Sequence, residues 1–148
     1  MFKVWMAAAL AAACSTGCAT GYHSASNPIL GFTGGYWDQP GPGSTIKIGF
    51  AGNSIIEAEK VSTYLLYRSA EVTKREGGTH FVLYRSLPDA VLDVRSDGKA
   101  TTTLGGKPTN YAYIWIVPAS ERGAISADEV ITNLGPEVRP AGGEGVTP

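Results

Sequence analysis

The sequence predicts an α+β fold, a small two-layer domain in which a mostly antiparallel sheet of three to five strands packs on one long helix. A helical pattern extends over about residues 55–76, and short alternating or apolar runs flank it. A second, shorter helical pattern covers about residues 126–134. The length of 148 residues favours a single domain.

Both ends of the chain differ in composition from its centre. Gly, Ser, Asn and Pro are frequent from Thr20 to Ser44, and Gly and Pro are frequent again after Gly135, which is typical of tethers and tails. We therefore predict a signal peptide at 1–17, a lipidated tether at 18–43, the α+β domain at 44–135 and a disordered tail at 136–148.

The N-terminus has the pattern of a secretory signal peptide. Lys3 supplies one positive charge, and residues 4–13 form an uninterrupted apolar run. This run is shorter than the roughly 20 residues that a membrane-spanning helix needs. Small residues, Ser15 and Gly17, follow it, as cleavage by a signal peptidase requires.

The residues Gly17-Cys18-Ala19 resemble the lipobox of bacterial lipoproteins, although Ser15 occupies a position that is usually aliphatic. The resemblance implies that Cys18 is lipidated and that its acyl chains anchor the protein in a lipid bilayer. Cys14 is a competing lipidation site. Alternatively, both cysteines form a disulfide or stay unmodified. Because Ala19 replaces the Asp that retains many lipoproteins at the inner membrane, the resemblance indicates the periplasmic face of the outer membrane.

The first predicted strand and the long helix follow each other directly. Residues 45–51 alternate, so their Ile and Phe side chains share one face of a half-buried strand. Ser54 and Glu57 have the spacing of a capping box that would begin the helix. At 100° per residue, Leu65 lies on the predicted buried face and Tyr67 on the opposite one. Gly77-Gly78 is expected to end the helix.

Three further segments complete the predicted domain. Residues 79–85 form the second strand of a β-α-β unit, and Asp97-Gly98 predicts a hairpin between runs 91–95 and 100–104. Residues 111–117 are apolar on both faces, which predicts a strand that is covered on each side. Ser126 and Glu129 form a second capping box at the start of the short helix.

The central segment resembles one family of small proteins. Gly52-Asn53, the run Tyr64–Thr73 with its Leu-Leu-Tyr-Arg core, and Phe81–Leu83 are similar to a family of small proteobacterial lipoproteins named after Caulobacter members. The resemblance covers about residues 48–85 and the lipobox. Ser69 occupies a position that is usually Ala in the family. The family has no known function, so the resemblance implies an anchored envelope protein and no activity.

Charge and motif content exclude several classes of function. A net charge of −1 offers no basic surface for nucleic acid. Neither His23 nor His80 has other ligand residues at a metal-binding spacing, so no metal and no cofactor are predicted. The sequence contains no nucleophile-elbow, zinc-protease or phosphate-loop motif, which predicts a protein that is not an enzyme.

A polar and aromatic cluster on the long helix is the predicted binding site. Arg68 lies three residues before Glu71, with Tyr64 and Tyr67 beside them. One interpretation is architectural, with Arg68 paired to Glu71 or packed along the sheet edge. The other is a cationic, aromatic notch for a carboxylate or a glycan end, because Arg presents a planar fork of donors.

The strand at 111–117 suggests a second site. Tyr111, Tyr113 and Trp115 alternate, and so share one face of the strand. The sequence favours a core role for them over a platform on which sugars stack.

The sequence thus predicts a non-catalytic lipoprotein of the cell envelope, a periplasmic binding or structural module anchored in the outer membrane. Its expected partners are the lipid bilayer and an envelope protein or a cell-wall component. The alternatives are a soluble secreted or periplasmic protein and a small envelope hydrolase.

Overall fold

The structure is a computed structural model, and it describes residues 19–26 and 34–140. The predicted signal peptide and both cysteines, Cys14 and Cys18, lie outside the described residues, as does the chain from residue 141. Within the described ranges, no helix is long and apolar enough to cross a bilayer.

Within these ranges, six strands form one antiparallel sheet. They are β1 (Gly35–Pro40), β2 (Thr45–Ala51), β3 (His80–Tyr84), β4 (Thr102–Leu104), β5 (Lys107–Val117) and β6 (Ile125–Ser126). Their order is β1-β2-β5-β3-β6, and β4 pairs with the start of β5. The predicted α+β class is therefore confirmed, with one strand more than the upper limit expected.

Two helices cover one face of this sheet. The long helix α1 (Ala58–Arg75) and the C-terminal helix α3 (Ala127–Val138) pack on each other, and α1 also contacts β2, β3 and β5. Leu65 of α1 is fully buried in a cluster with Ile48, Phe81 and Ile114, which come from those three strands. Burying each such side chain stabilises the fold by roughly 1.5–3 kcal/mol, so the predicted packing of helix on sheet dominates its stability.

The β-α-β unit is present, but its two strands are not neighbours. β5 lies between β2 and β3 and is antiparallel to both, so β2 and β3 run parallel to each other. The longest strand therefore occupies the centre of the sheet, where β2 and β3 both pair with it.

Helix α1 begins later than predicted. Its N-cap is Glu57, whose side chain makes no capping hydrogen bond, so the capping box at Ser54 and Glu57 was wrong. The Asn53 side chain instead accepts hydrogen bonds from the backbone N–H groups of Ile55 and Ile56, both at 3.1 Å. Asn53 thus stabilises a turn in the segment where the first helical turn was expected.

The buried surface of α1 is also wider than predicted. Tyr67 was expected on the solvent side but is only 5 % exposed. It belongs to a second cluster that includes Val138 of α3, and the segment around Tyr22 packs against it. The helix is therefore covered on two sides, which its own periodicity does not reveal.

The hairpin predicted at Asp97-Gly98 is wrong. Residues 87–91 form a short helix, α2 (Leu87–Val91), and the hairpin joins β4 to β5 through Gly105-Gly106. Both glycines have positive φ, as a two-residue hairpin turn requires. Gly98 is instead held on the domain by the Asn110 side chain, which donates to its carbonyl oxygen at 2.7 Å.

Helix α3 begins as predicted and continues further. The Ser126 hydroxyl accepts a hydrogen bond from the Glu129 backbone N–H at 3.3 Å, which confirms the N-cap. The helix does not stop at Gly135-Pro136 but continues to Val138. Val138 is 5 % exposed in the second cluster, so its burial holds the last turn in place beyond the proline.

The ordered domain is accordingly wider than the predicted range 44–135. Strand β1 and residues 19–26 lie on the domain although both fall within the predicted tether. Residues 136–138, assigned to the tail, belong to α3. Backbone pairing and aromatic burial hold β1 and residues 19–26 on the domain although the predicted tether is rich in Gly and Ser.

Candidate functional site

The predicted notch around Arg68 forms where α1 meets the edge strand β1. The Arg68 guanidinium donates to Asp38 Oδ1 through Nε at 3.0 Å and through Nη2 at 2.5 Å. Its Nη1 donates to Glu71 Oε2 at 3.1 Å. The Tyr36 ring lies below the guanidinium, 4.2 Å from Cζ to the ring centroid. Every guanidinium nitrogen of Arg68 thus donates to a carboxylate of the domain itself.

The N-terminal segment closes this cluster from the other side. The Tyr22 hydroxyl donates a hydrogen bond to Glu71 Oε2, and Arg139 Nη2 donates to Glu71 Oε1 at 2.7 Å. Burial of Tyr22, followed by its hydrogen bond to Glu71, raises the pKa of the phenol far above its usual value. The Tyr22 phenol is therefore a permanent donor, and the network joins the N-terminal segment, α1 and the end of α3.

The geometry favours the architectural interpretation of Arg68 and Glu71. A cleft of about 210 Å³ opens beside Arg68, but the guanidinium turns its donors to the carboxylates of Asp38 and Glu71. Tyr64 and Tyr67, predicted to line the notch, are 4 % and 5 % exposed and do not line this cleft. A ligand carboxylate would have to displace a protein carboxylate that is already bound.

The Arg68 cluster leads to a pH prediction. Burial alone would raise the pKa of Asp38, but hydrogen bonds and charge from Arg68 and Arg75 outweigh it and lower this pKa. Protonation of Asp38 therefore favours the unfolded chain. The ionised Asp38 carboxylate stabilises the fold fully above the pKa that Asp has in an unfolded chain, about 4. This stabilisation is lost as the pH falls through the lower pKa of Asp38 in the folded protein.

We expect Asp38→Asn to lower the free energy of unfolding at neutral pH by about 1–2 kcal/mol, because two charged hydrogen-bond partners lose their carboxylate. The variant should also lose stability less steeply than the parent below about pH 4. Urea denaturation across acidic pH measures both effects. Asp128→Asn is the matched control, since its exposed pair with Lys74 contributes little. Equal acid sensitivity in the parent and Asp38→Asn would contradict the prediction.

The opposite face of the sheet carries the residues that the sequence assigned to the core. Tyr111 and Trp115 are 44 % and 46 % exposed, so the core interpretation was wrong for both, and Tyr113 between them is half-buried. The prediction that both faces of this strand are covered is also wrong, because α1 and α3 pack on the same side. Ala112 and Ile114 point to the helices and are buried, and the side chains that alternate with them face solvent.

Two residues from neighbouring strands complete this surface. Trp37 of β1 lies across Gly49 of β2 so closely that a Cβ added to Gly49 would be 2.1 Å from its ring. The Lys47 ammonium lies 4.7 Å from the Tyr111 ring centroid, 5.6 Å from that of Tyr113 and 5.7 Å from that of Trp37. We call this surface the aromatic face. It consists of Trp37, Lys47, Tyr111, Tyr113 and Trp115.

Sequence reasoning placed the three aromatic residues of β5 together but missed Trp37 and Lys47. A signal for Lys47 was present, because it alternates with Ile46 and Ile48 and so must point away from the helices. The position of Trp37 on the domain could not be predicted, because no strand pattern covers its segment. Only the pairing of Trp37 with Gly49 across the strands brings it to the face.

A cleft of about 530 Å³ adjoins the Trp115 end of the aromatic face. Arg95 joins the charged side chains on one wall of the cleft. Its Nε donates to Asp93 at 3.0 Å and its Nη2 donates to Glu121 at 2.7 Å. Tyr84 donates to the same Asp93 carboxylate at 2.8 Å. The cleft extends the exposed aromatic surface beyond the edge of β5.

No family model, curated protein or solved structure matches the chain. The resemblance to the small proteobacterial lipoproteins therefore stays a prediction. Among the described residues, no group of three His, Cys, Asp or Glu side chains has an arrangement that could hold a metal ion.

Proposed function

We propose that this protein is a non-catalytic lipoprotein of the cell envelope that acts as a binding module on the periplasmic side of the outer membrane. The supporting observation is the aromatic face, where Tyr111 and Trp115 of β5 are exposed beside the half-buried Trp37 and Tyr113. The Lys47 ammonium lies close to three of these four rings. Exposed apolar surface of this kind marks interaction sites more often than random surface does. The Arg68 cluster, by contrast, is paired within the domain.

The anchoring part of the proposal rests on the N-terminal sequence. The apolar run at 4–13, the small residues after it and Gly17-Cys18-Ala19 together have the order of a lipoprotein signal. A cysteine with several acyl chains is held stably in a bilayer, because each buried methylene adds about 0.8 kcal/mol.

Mass spectrometry of the mature N-terminus tests the anchor. We expect the chain to begin at an acylated Cys18 and to fractionate with outer membranes. Cys18→Ser should abolish lipidation, and processing should become insensitive to globomycin. Cys14→Ser is the matched control and should leave the lipid in place. A mature chain with an unmodified N-terminus beyond residue 18 would contradict the lipoprotein proposal.

Photo-crosslinking in intact cells tests the binding surface. A photoreactive residue at position 115 should give a discrete crosslinked product, whereas one at Ile55 should not. Ile55 is 51 % exposed, lies before α1 and is not one of the five residues of the aromatic face, so it controls for exposure alone. Equal, diffuse crosslinking from both positions would contradict a specific binding role for this face.

A further inference from the structure

We infer that the aromatic face binds an acidic saccharide, an extended oligosaccharide with carboxylate groups. This inference rests on the proposed function and specifies its ligand. The CH groups on the flat side of a sugar ring carry slight positive charge, so they pack against the negative face of an aromatic ring. The aromatic face presents several such rings on one open surface of the sheet.

The rings are spread along the sheet rather than gathered in a pocket. Tyr111 and Trp115 are four positions apart on β5, which corresponds to about 14 Å at 3.4 Å per residue. Trp37 extends the surface sideways across β2. The cleft of about 530 Å³ continues it past Trp115. An elongated, repeating ligand fits this layout better than a single compact molecule.

Trp37 is held in place by its contact with Gly49. Its indole ring packs directly on the Gly49 backbone, where any Cβ would collide with it. This close contact restricts the indole, so that Trp37 is pre-oriented before a ligand arrives. Such pre-organisation reduces the entropy lost on binding.

The charge on this face favours an acidic saccharide over a neutral one. At the strand positions that alternate outward with the aromatic side chains, the charged residues are Lys47 and Lys107, and no Asp or Glu occurs. Within the described residues Lys47 makes no ion pair, and its ammonium lies among three rings. Beyond Trp115, the carboxylates of Asp93 and Glu121 are engaged by Arg95. The five residues of the aromatic face therefore carry one positive and no negative charge, although the whole chain has a net charge of −1. The carboxylates of the ligand are expected at Lys47 and not in the cleft, where two carboxylates share one guanidinium.

Intrinsic fluorescence reports on this face directly. The chain has three tryptophans, of which Trp5 lies in the predicted signal peptide and Trp37 and Trp115 lie on the aromatic face. We would titrate the mature chain, purified in detergent, with oligogalacturonate, with purified muropeptides and with a neutral chito-oligosaccharide of matched length. The two acidic probes distinguish a uronic-acid glycan from a cell-wall fragment as the source of the carboxylate.

We expect at least one acidic probe to change the fluorescence and to bind about tenfold more tightly than the neutral one, which corresponds to about 1.4 kcal/mol. Lys47→Met should remove this preference. Lys60→Met is the matched control, because Lys60 also lies over a tyrosine ring, that of Tyr64, but on α1. Gly49→Val should displace Trp37 and weaken binding of every probe, and circular dichroism would verify that the variant is folded.

Three results would overturn the inference. The first is equal binding of acidic and neutral probes with no effect of Lys47→Met. The second is no response to any saccharide. The third is a crosslink from position 115 to a protein, which would make the face a protein contact. The proposed anchoring fails separately, through an unmodified N-terminus in the mass spectrum, and that outcome leaves the saccharide titration unchanged.

Discussion

Replacing Tyr22 with alanine is expected to lower the free energy of unfolding by about 2–4 kcal/mol. The Tyr22 ring lies 4.7 Å from the ring of Tyr36, 5.4 Å from that of Tyr64 and 5.2 Å from that of Tyr67, measured between centroids. Its removal leaves a cavity among these three aromatic side chains. It also takes the phenolic donor away from Glu71.

Chemical denaturation followed by circular dichroism measures this effect. Tyr22→Phe retains the ring and should lower the free energy of unfolding by about 1 kcal/mol, because only the hydrogen bond is lost. Tyr111→Ala is the matched control, because it makes the same truncation at a side chain that is 44 % exposed. If Tyr22→Ala and Tyr111→Ala were equally stable, residues 19–26 would not be docked on the domain.

Replacing Leu65 with alanine is expected to lower the free energy of unfolding by about 3 kcal/mol and the melting temperature by roughly 10 °C. Leu65 is fully buried between α1 and the sheet, where the neighbouring side chains cannot collapse into the space without moving the helix. The loss combines the transfer energy of the deleted atoms with that of the cavity they leave.

Thermal melting of Leu65→Ala and of Leu92→Ala tests this directly. Leu92 follows α2 and is 72 % exposed, so the same substitution there should change stability by less than about 0.5 kcal/mol. A loss at position 65 no greater than at position 92 would mean that α1 does not form the core with the sheet.

Much of the fold could be predicted because its elements have regular hydrophobic periods. The strand at 45–51, the long helix and the strand at 111–117 all follow from alternation or 3.6-residue spacing. The segment from 87 to 104 has no such period. Its conformation depends on tertiary hydrogen bonds, such as that from Asn110 to Gly98, which no local pattern contains.

The candidate sites also depend on tertiary contacts that local sequence patterns do not contain. The sequence brings Arg68 and Glu71 together because they are three positions apart on a helix, but Asp38 is 30 residues away. Alternation places Tyr111 and Trp115 on one face of β5, and only the packing of both helices on the other side exposes them. Which face of a strand is covered depends on chain topology, which periodicity does not determine.

The docked N-terminal segment limits how far the domain could extend from the proposed lipid anchor. A free tether over residues 18–43 could span about 90 Å when fully extended. Thr20, however, is 3 % exposed, and its hydroxyl accepts a hydrogen bond from the Asn53 backbone N–H at 2.8 Å. With the proposed lipid at Cys18, Ala19 alone would separate the anchor from the folded domain. The domain would then lie against the bilayer surface in a restricted orientation. Its ligand would have to reach the domain at the membrane.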